Sequence, residues 1–99
     1  MRPTYVTVHL SKLRFDQRNS DSVRALQERL NAVMAANLPV TGNYLKRTSD
    51  AVERWQRSNG VDAADGLLDP DQFVKLFPSP PYRRVGGDDA SQGALSNAG

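Results

Sequence analysis

A short motif that occurs twice places the strongest constraint on how this chain can fold. The pattern Val-x-x-Leu-Gln-x-x-Leu begins at Val23, and Val-x-x-Trp-Gln begins at Val52. A Gly-x-apolar triplet follows each copy, at residues 42–44 and again at 66–68. Each half therefore predicts a helix, a turn and the start of a further helix, and the middle helix is shared. Such a repeat usually reflects a packing solution rather than two active sites.

Apolar spacing and capping residues predict the first two helices. The first has apolar residues at i, i+3, i+7, i+10 and i+11 from Val23, which is one stripe of an α-helix, and each residue at 20–22 is a competent N-cap. The second is predicted to begin at Thr48, whose hydroxyl can cap it, with Asp50 in the first turn, where the helix dipole favours an anion. The Asn-Gly pair at 59–60 ends it, with the glycine free to adopt a positive φ.

A third helix and two non-helical ends complete the predicted organisation. Asp69 as N-cap and Pro70 at the first helical position start the third helix. Residues 1–19 are expected to form an N-terminal arm, whose β-branched run is either a short strand or an extended segment packed on the bundle. Residues 79–99, rich in Pro, Gly and Ser, predict a flexible C-terminal tail. The predicted fold class is all-α: a small three-helix bundle with an internal repeat over residues 20–78, between the arm and the tail.

The composition excludes several kinds of functional site. The absence of cysteine excludes a disulfide scaffold, thiolate zinc sites and cysteine nucleophiles. The single histidine, His9, excludes His-pair metal sites, and no Ser-His-Asp set or paired-carboxylate cleft can be assembled. Four aspartates within residues 62–71 lack the EF-hand register and are better explained as caps and turn residues. We therefore expect no enzyme, no metal and no cofactor.

The charge balance argues against nucleic acid and membrane partners. Thirteen basic and eleven acidic residues leave a net charge of only +2. A DNA-binding helix-turn-helix protein needs a basic recognition helix, but Arg54 and Arg57 share the second helix with Asp50 and Glu53. A membrane span needs about 20 apolar residues, and no run approaches that length. The first residues place no apolar stretch behind their charge, so we also expect no signal peptide.

In order and spacing, these motifs resemble the peptidoglycan-binding domain found as an accessory module on cell-wall hydrolases. The resemblance covers residues 20–77 and implies a three-helix, non-catalytic module whose partner is peptidoglycan or a muropeptide. Leu45 stands where the family has glycine, which implies a changed turn. The matching residues are Val23, Leu26, Gln27, Leu30, Asn31, Gly42, Tyr44, Thr48, Ala51, Val52, Trp55, Gln56, Gly60, Val61, Asp65, Gly66 and Leu76.

The opening segment, residues 8–23, is similar to the lead-in of such domains in phage endolysins. This similarity implies a phage-encoded protein that is made in the host cytoplasm and then released to the cell wall by a holin or by lysis. The alternative is a phage virion or assembly structural protein that uses the same fold to contact other phage proteins. The fold alone does not choose between these roles.

The middle turn and the start of the second helix supply the first candidate ligand-binding residues. Asn43, Tyr44, Arg47 and Thr48 lie close together in the sequence. Polar groups in this stretch can donate hydrogen bonds to the carboxylates and N-acetyl carbonyls of muropeptides. The alternative for Tyr44 is that its ring covers the core.

Two further candidates lie on the second helix. Trp55 could stack on a sugar face, although its place on the apolar stripe equally fits the core. Arg54 could contact wall polymer or substrate peptide, or belong with Arg57 to a solvated face. Gln27 and Gln56 occupy the same repeat position, which indicates buried amides bonded to loop backbone.

Overall fold

The computed structural model describes residues 5–61, 64–78 and 81–86. Three helices pack around one core, and a strand from each end of the described chain pairs beside them. The elements in order are β1 (Val6–His9), a 3₁₀ turn (Leu10–Lys12), α1 (Asp21–Met34), α2 (Lys46–Ser58), α3 (Pro70–Leu76) and β2 (Tyr82–Val85).

The first helix begins where its capping residue predicts. Ser20 is the N-cap of α1, and its hydroxyl accepts from the backbone N–H of Val23 at 3.3 Å. Ala35, in the left-handed region with φ of 52°, ends the helix. The apolar stripe of α1 is confirmed over its first three positions, because Val23, Leu26 and Leu30 are each fully buried. Val33, which the same spacing assigns to the stripe, is 41% exposed.

The second helix begins two residues earlier than predicted. The N-cap of α2 is Leu45, and its carbonyl accepts from the N–H of Ser49 at 2.9 Å, so Thr48 already lies within the helix. The Thr48 hydroxyl instead accepts from the buried Gln27 amide at 3.0 Å. Asp50 consequently lies beyond the first turn, where it pairs with Lys46 at 3.3 Å. The prediction that Thr48 caps α2 was wrong. Its hydroxyl is the acceptor for the buried Gln27 amide of α1, and residue spacing within α2 does not reveal this contact between helices.

The predicted boundaries at the end of α2 and the start of α3 are confirmed. Gly60 adopts a φ of 73° immediately after the C-cap Asn59. Asp69 is the N-cap of α3 and Pro70 its first helical residue. The rings of Phe73 and Phe77 are both buried and make an edge-to-face contact, with centroids 5.6 Å apart.

A two-stranded parallel sheet corrects the all-α prediction. β1 pairs with β2 in the register Val6↔Tyr82 to His9↔Val85. Residues 82–85, expected to belong to a flexible tail, are therefore a strand. The remaining tail residues, 79–80 and 87–99, lie outside the described part of the chain, as do residues 1–4.

Aromatic packing explains why the segment after Pro81 returns to the domain. The Tyr82 ring packs edge-to-face on Phe77 with centroids 5.0 Å apart, and the Arg29 guanidinium lies 5.7 Å from the Tyr82 centroid. Two arginines also satisfy carbonyls at the end of α3: Arg29 donates to Leu76 and Arg84 to Phe77, each at 2.7 Å. A strand composed mostly of polar residues is thus held by one tyrosine and two arginines.

The core is one cluster that joins all three helices to β1. Its largest fully buried side chains are the rings of Tyr44, Phe73 and Phe77. Across residues 5–61, 64–78 and 81–86, no helix has both the length and the apolar character that a membrane span requires.

Candidate functional site

A buried glutamine amide fixes the turn that precedes α2. The Gln27 side-chain oxygen accepts from the backbone N–H groups of Thr41 and Gly42, both at 2.9 Å. Its side-chain nitrogen donates to the carbonyl of Asn43 at 3.1 Å and to the hydroxyl of Thr48 at 3.0 Å. One side chain of α1 therefore holds the turn and the first residues of α2 in a single arrangement.

The second repeat uses the same device on the turn before α3. The Gln56 oxygen accepts from the N–H of Gly66 at 2.9 Å, and its nitrogen donates to the carbonyl of Leu67 and to Gln72, both at 2.7 Å. Gln72 is the third residue of α3, just as Thr48 is the third residue of α2. The interpretation of both glutamines as buried amides bonded to loop backbone is confirmed, and the repeat proves to be a duplicated turn clamp.

Both clamped turns require glycine. Gly42 and Gly66 have φ angles of 82° and 80°. A Cβ on Gly42 would lie 3.1 Å from both the backbone nitrogen and the carbonyl oxygen of Ser20, and one on Gly66 would overlap the Ser49 hydroxyl. The backbone at each turn is consequently closely packed against a neighbouring segment, which leaves the turn little freedom to move.

A groove opens beside the first clamped turn. We call it the α2 groove; it has a volume of about 310 Å³ and is lined by Gln27, Pro39, Thr41, Asn43, Leu45, Lys46, Arg47 and Thr48. Three of the candidate residues, Asn43, Arg47 and Thr48, thus lie in one groove. The sequence alone did not indicate Thr41 and Leu45 as lining residues, although the position of Thr41 directly before Gly42 was a usable signal.

The fourth polar candidate lies next to this groove. Arg54 lines a neighbouring cavity of about 390 Å³ together with Asn37 and Asp50. Arg47 lines both cavities. Arg47 and Arg54 are seven residues apart on α2 and therefore lie on the same helix face.

These two arginines differ in pairing from the other cations of α2. Lys46 pairs with Asp50 at 3.3 Å, and Arg57 pairs with Glu53 at 2.5 Å. Over the part of the chain that the structure describes, Arg47 and Arg54 have no ion-pair partner, and both are exposed. Their guanidinium groups can therefore donate to an anionic ligand without breaking an internal contact.

The two aromatic candidates lie in the core instead. Tyr44 is 0% exposed and Trp55 only 6%. The Tyr44 hydroxyl donates to the carbonyl of Gly66. Burial, with a further contribution from the nearby Asp65 carboxylate, holds the pKa of Tyr44 well above its usual range. Neither ring offers a face to a sugar in this arrangement, so we leave both out of the binding surface proposed for this chain.

The structure offers no metal centre within residues 5–61, 64–78 and 81–86. No three His, Asp or Glu side chains in these ranges lie close enough together to hold an ion. Asp65, Asp69 and Asp71 fall within the described ranges, whereas Asp62 of the same group lies outside them.

A protein-family model matches most of the described chain. The model of the peptidoglycan binding domain matches residues 19–76, which is more than half of the chain. The matched region runs from just before the N-cap of α1 to the last residue of α3 and contains both clamped turns. No curated protein and no solved structure matches the chain.

Proposed function

This chain belongs to the peptidoglycan binding domain family, and on that premise we propose that it is a non-catalytic module that binds bacterial cell-wall peptidoglycan through the α2 groove. The observation that carries the proposal is the exposed Arg47 guanidinium, which has no ion-pair partner among the described residues and lines both cavities beside the first clamped turn.

The chemistry of the groove is suited to a muropeptide. Lys46 and Arg47 supply positive charge, and the Asn43 side chain supplies polar hydrogen-bonding atoms at the same rim. Carboxylates of a stem peptide would accept charge-assisted hydrogen bonds from these groups. Pro39 and Leu45 add apolar surface against which small alkyl side chains of the peptide can pack.

The clamp makes this surface favourable for binding. Because Gln27 already fixes the turn in the free protein, a ligand does not have to order the backbone when it binds. Pre-organisation of this kind improves affinity by lowering the entropic cost of association. The buried Gln27 thus supports binding without touching the ligand.

We place the bond-breaking chemistry of wall hydrolysis in a separate hydrolase domain. The support is the family, which is one of binding domains, and a groove that combines cations with apolar side chains. Incubation of the full chain with purified sacculi should release no soluble muropeptides. Release that scales with protein concentration would contradict this part of the proposal.

Co-sedimentation with purified sacculi tests the binding function. The wild-type chain should sediment with sacculi at moderate salt. The double variant Arg47→Ala/Arg54→Ala should bind about tenfold more weakly or worse, because it loses two charge-assisted donors.

The matched control removes the same number of charges elsewhere. Arg18 and Arg57 are exposed and already paired, with Asp16 and Glu53, and such surface pairs contribute little to stability. The Arg18→Ala/Arg57→Ala variant should therefore bind like the wild type. Equal weakening of both double variants would reject the α2 groove, and failure of the wild type to sediment would reject peptidoglycan as the partner.

We propose further that a phage encodes the module and that it reaches the wall when the host lyses. The support is the similarity of residues 8–23 to the lead-in of phage endolysin domains. The neighbouring reading frames test this origin: adjacent holin or amidase genes are expected, and a bacterial housekeeping locus would contradict it. Recovery of the protein from purified particles would favour the virion or assembly role instead.

A further inference from the structure

Each clamped turn contributes three residues to the lining of a cavity, and these residues occupy the same positions relative to the glycine of the turn. These positions are one residue before the glycine, one after it and three after it. In the α2 groove they are Thr41, Asn43 and Leu45, and in the second cavity they are Asp65, Leu67 and Asp69. The repeat has therefore duplicated a groove-forming turn as well as a glutamine clamp.

The opposite wall of this second cavity comes from the segment after β1. We call the cavity the Phe15 groove; its volume is about 460 Å³ and it is lined by Leu10, Ser11, Leu13, Arg14, Phe15, Asp65, Leu67, Leu68 and Asp69. The Phe15 ring is 54% exposed, and Leu67 on the facing wall is 41% exposed. Two large apolar side chains thus remain in contact with water in one concave surface.

The exposed Phe15 ring is held in place by a contact with the buried Tyr44 ring. It packs edge-to-face on the buried Tyr44, with ring centroids 6.4 Å apart and planes at 70°. The next residue, Asp16, anchors the backbone through its N–H, which donates to the Tyr44 carbonyl at 2.7 Å. A ring that is both exposed and fixed can receive a flat apolar ligand face at small entropic cost.

We propose that the Phe15 groove binds the N-acetylated amino-sugar backbone of peptidoglycan, as a second subsite beside the α2 groove. This inference rests on the proposed function, because it assigns the glycan part of the same polymer to a different surface of the domain.

The charges of the two grooves favour this division of the polymer. The α2 groove carries Lys46 and Arg47, which suit the anionic stem peptide. The Phe15 groove carries Asp65 and Asp69 against the single cation Arg14, so an anionic ligand is disfavoured there. A neutral ligand rich in hydroxyl groups fits this balance.

The three charged groups of the Phe15 groove can each bond to an amino sugar. Carboxylates such as Asp65 and Asp69 accept hydrogen bonds from sugar hydroxyls, and the Arg14 guanidinium can donate to an N-acetyl carbonyl. The backbone N–H of Leu67 already donates to Asp65 at 3.0 Å, which fixes the orientation of that carboxylate. The apolar face of the sugar ring would lie on Phe15, where dispersion and the ring quadrupole favour C–H contacts.

Amide chemical shifts of the ¹⁵N-labelled full chain test the subsite directly. The probe is the β-1,4-linked tetramer of N-acetylglucosamine, and maltotetraose serves as a neutral glucan without N-acetyl groups. The tetramer should shift the amides of Phe15, Leu67 and Asp69, and maltotetraose should not. Phe15→Ala should weaken binding of the tetramer about tenfold, whereas Phe15→Tyr, which keeps the ring, should stay within about twofold of the wild type.

Two further variants keep the test decisive. Val40→Ala removes an exposed apolar side chain outside the groove and should bind the tetramer like the wild type. Leu67→Ser changes the facing wall and should weaken binding even if Phe15→Ala unfolds. Unshifted groove amides, equal shifts with maltotetraose, or wild-type affinity in Phe15→Ala and Leu67→Ser would each overturn the subsite.

Co-sedimentation with sacculi separates this failure from failure of the proposed function. If the wild type sediments and Arg47→Ala/Arg54→Ala does not, while the tetramer leaves the groove amides unshifted, only the glycan subsite is rejected. If the wild type does not sediment at all, peptidoglycan is rejected as the partner and the subsite fails with it.

Discussion

Gly60 and Gly66 adopt similar backbone angles in very different surroundings. Their φ values are 73° and 80°, but a Cβ on Gly60 would meet nothing within 4 Å, whereas one on Gly66 would lie 3.0 Å from the Ser49 carbonyl oxygen and overlap its hydroxyl. The sequence alone predicts a turn at both glycines. Only the fold shows that the second turn is packed against α2.

We expect Gly66→Ala to destabilise the protein much more than Gly60→Ala. The left-handed conformation alone costs an alanine about 1 kcal/mol, and displacement of Ser49 should raise the cost at Gly66 to about 3 kcal/mol. Urea unfolding of the two variants measures the difference in the free energy of unfolding. Equal losses would show that the close approach of Ser49 to the turn is not energetically important.

The Tyr44 hydroxyl gives the protein a specific dependence on alkaline pH. Burial raises the pKa of Tyr44 in the folded state, whereas in the unfolded chain it is near its ordinary value of about 10. The contribution of the protonated Tyr44 hydroxyl to the free energy of unfolding is fully present below pH ~10. It is lost as the pH rises further, because Tyr44 then releases its proton in the unfolded chain but keeps it in the folded one.

Tyr44→Phe should remove this component of the pH dependence. We expect the variant to be about 1 kcal/mol less stable at neutral pH, because the Gly66 carbonyl loses its donor. Between pH 10 and 11 the wild type should lose up to about 1.4 kcal/mol more than the variant does. Denaturant unfolding at a series of pH values measures both curves, and parallel curves would contradict the assignment.

For individual residues, the sequence predicts the roles of the buried glutamines better than those of the aromatic side chains. The matched positions of Gln27 and Gln56 correctly indicated buried amides that bond to loop backbone. Tyr44 and Trp55 suited either a ligand or the core, because an aromatic ring at a turn or on an apolar stripe serves both. The structure places both rings in the core, which depends on how the turns fold back and is not encoded in local spacing.

At the scale of elements, helices follow local signals and the sheet does not. Caps and apolar spacing predicted the start of α1, the end of α2 and the start of α3. β1 and β2 are four residues each and pair across the whole domain, so no local pattern marks their partner. The Pro-rich segment before Tyr82 predicted a flexible tail. The contacts of the Tyr82 ring with Phe77 and Arg29 explain why this segment forms β2 instead.

Tyr82→Ala should therefore loosen the attachment of β2. We expect a loss of about 2 kcal/mol in the free energy of unfolding, because the ring is half-buried between Phe77 and Arg29. The same variant should speed hydrogen exchange at the backbone N–H of Val6, which donates to Pro81 at 3.0 Å.

Tyr5→Ala is the matched control for this strand experiment. Tyr5 is 41% exposed, and the exposed Arg83 guanidinium lies 5.5 Å from its ring centroid. Its removal should change the free energy of unfolding by no more than about 0.5 kcal/mol. If the two tyrosine variants lose stability equally, Tyr82 is not the anchor of β2.

The packed part of the chain extends beyond the region that the family model matches. The family match covers residues 19–76, whereas β1 and β2 lie outside it at either end and pair with each other. β1 also contributes the fully buried Val8 to the core. Among the described residues, the packed unit therefore includes β1 and β2 as well as the three helices.

Charge distribution, rather than total charge, characterises the proposed binding surface. The net charge is only +2, and within α2 the acidic Asp50 and Glu53 pair with Lys46 and Arg57. Within residues 5–61, 64–78 and 81–86, Arg47 and Arg54 have no ion-pair partner, and both lie on one face of α2. Such a pair suits a few carboxylates on a wall peptide better than the continuous phosphate backbone of a nucleic acid.

Titration of the ¹⁵N-labelled full chain with soluble muropeptides tests the central claim most directly. If the α2 groove binds the stem peptide, the amide shifts should be concentrated at residues 41–48 and at Arg54, and Arg47→Ala should reduce the affinity about tenfold. Saturating muropeptide that shifts no amide in this stretch, or that binds Arg47→Ala as tightly as the wild type, would contradict the account.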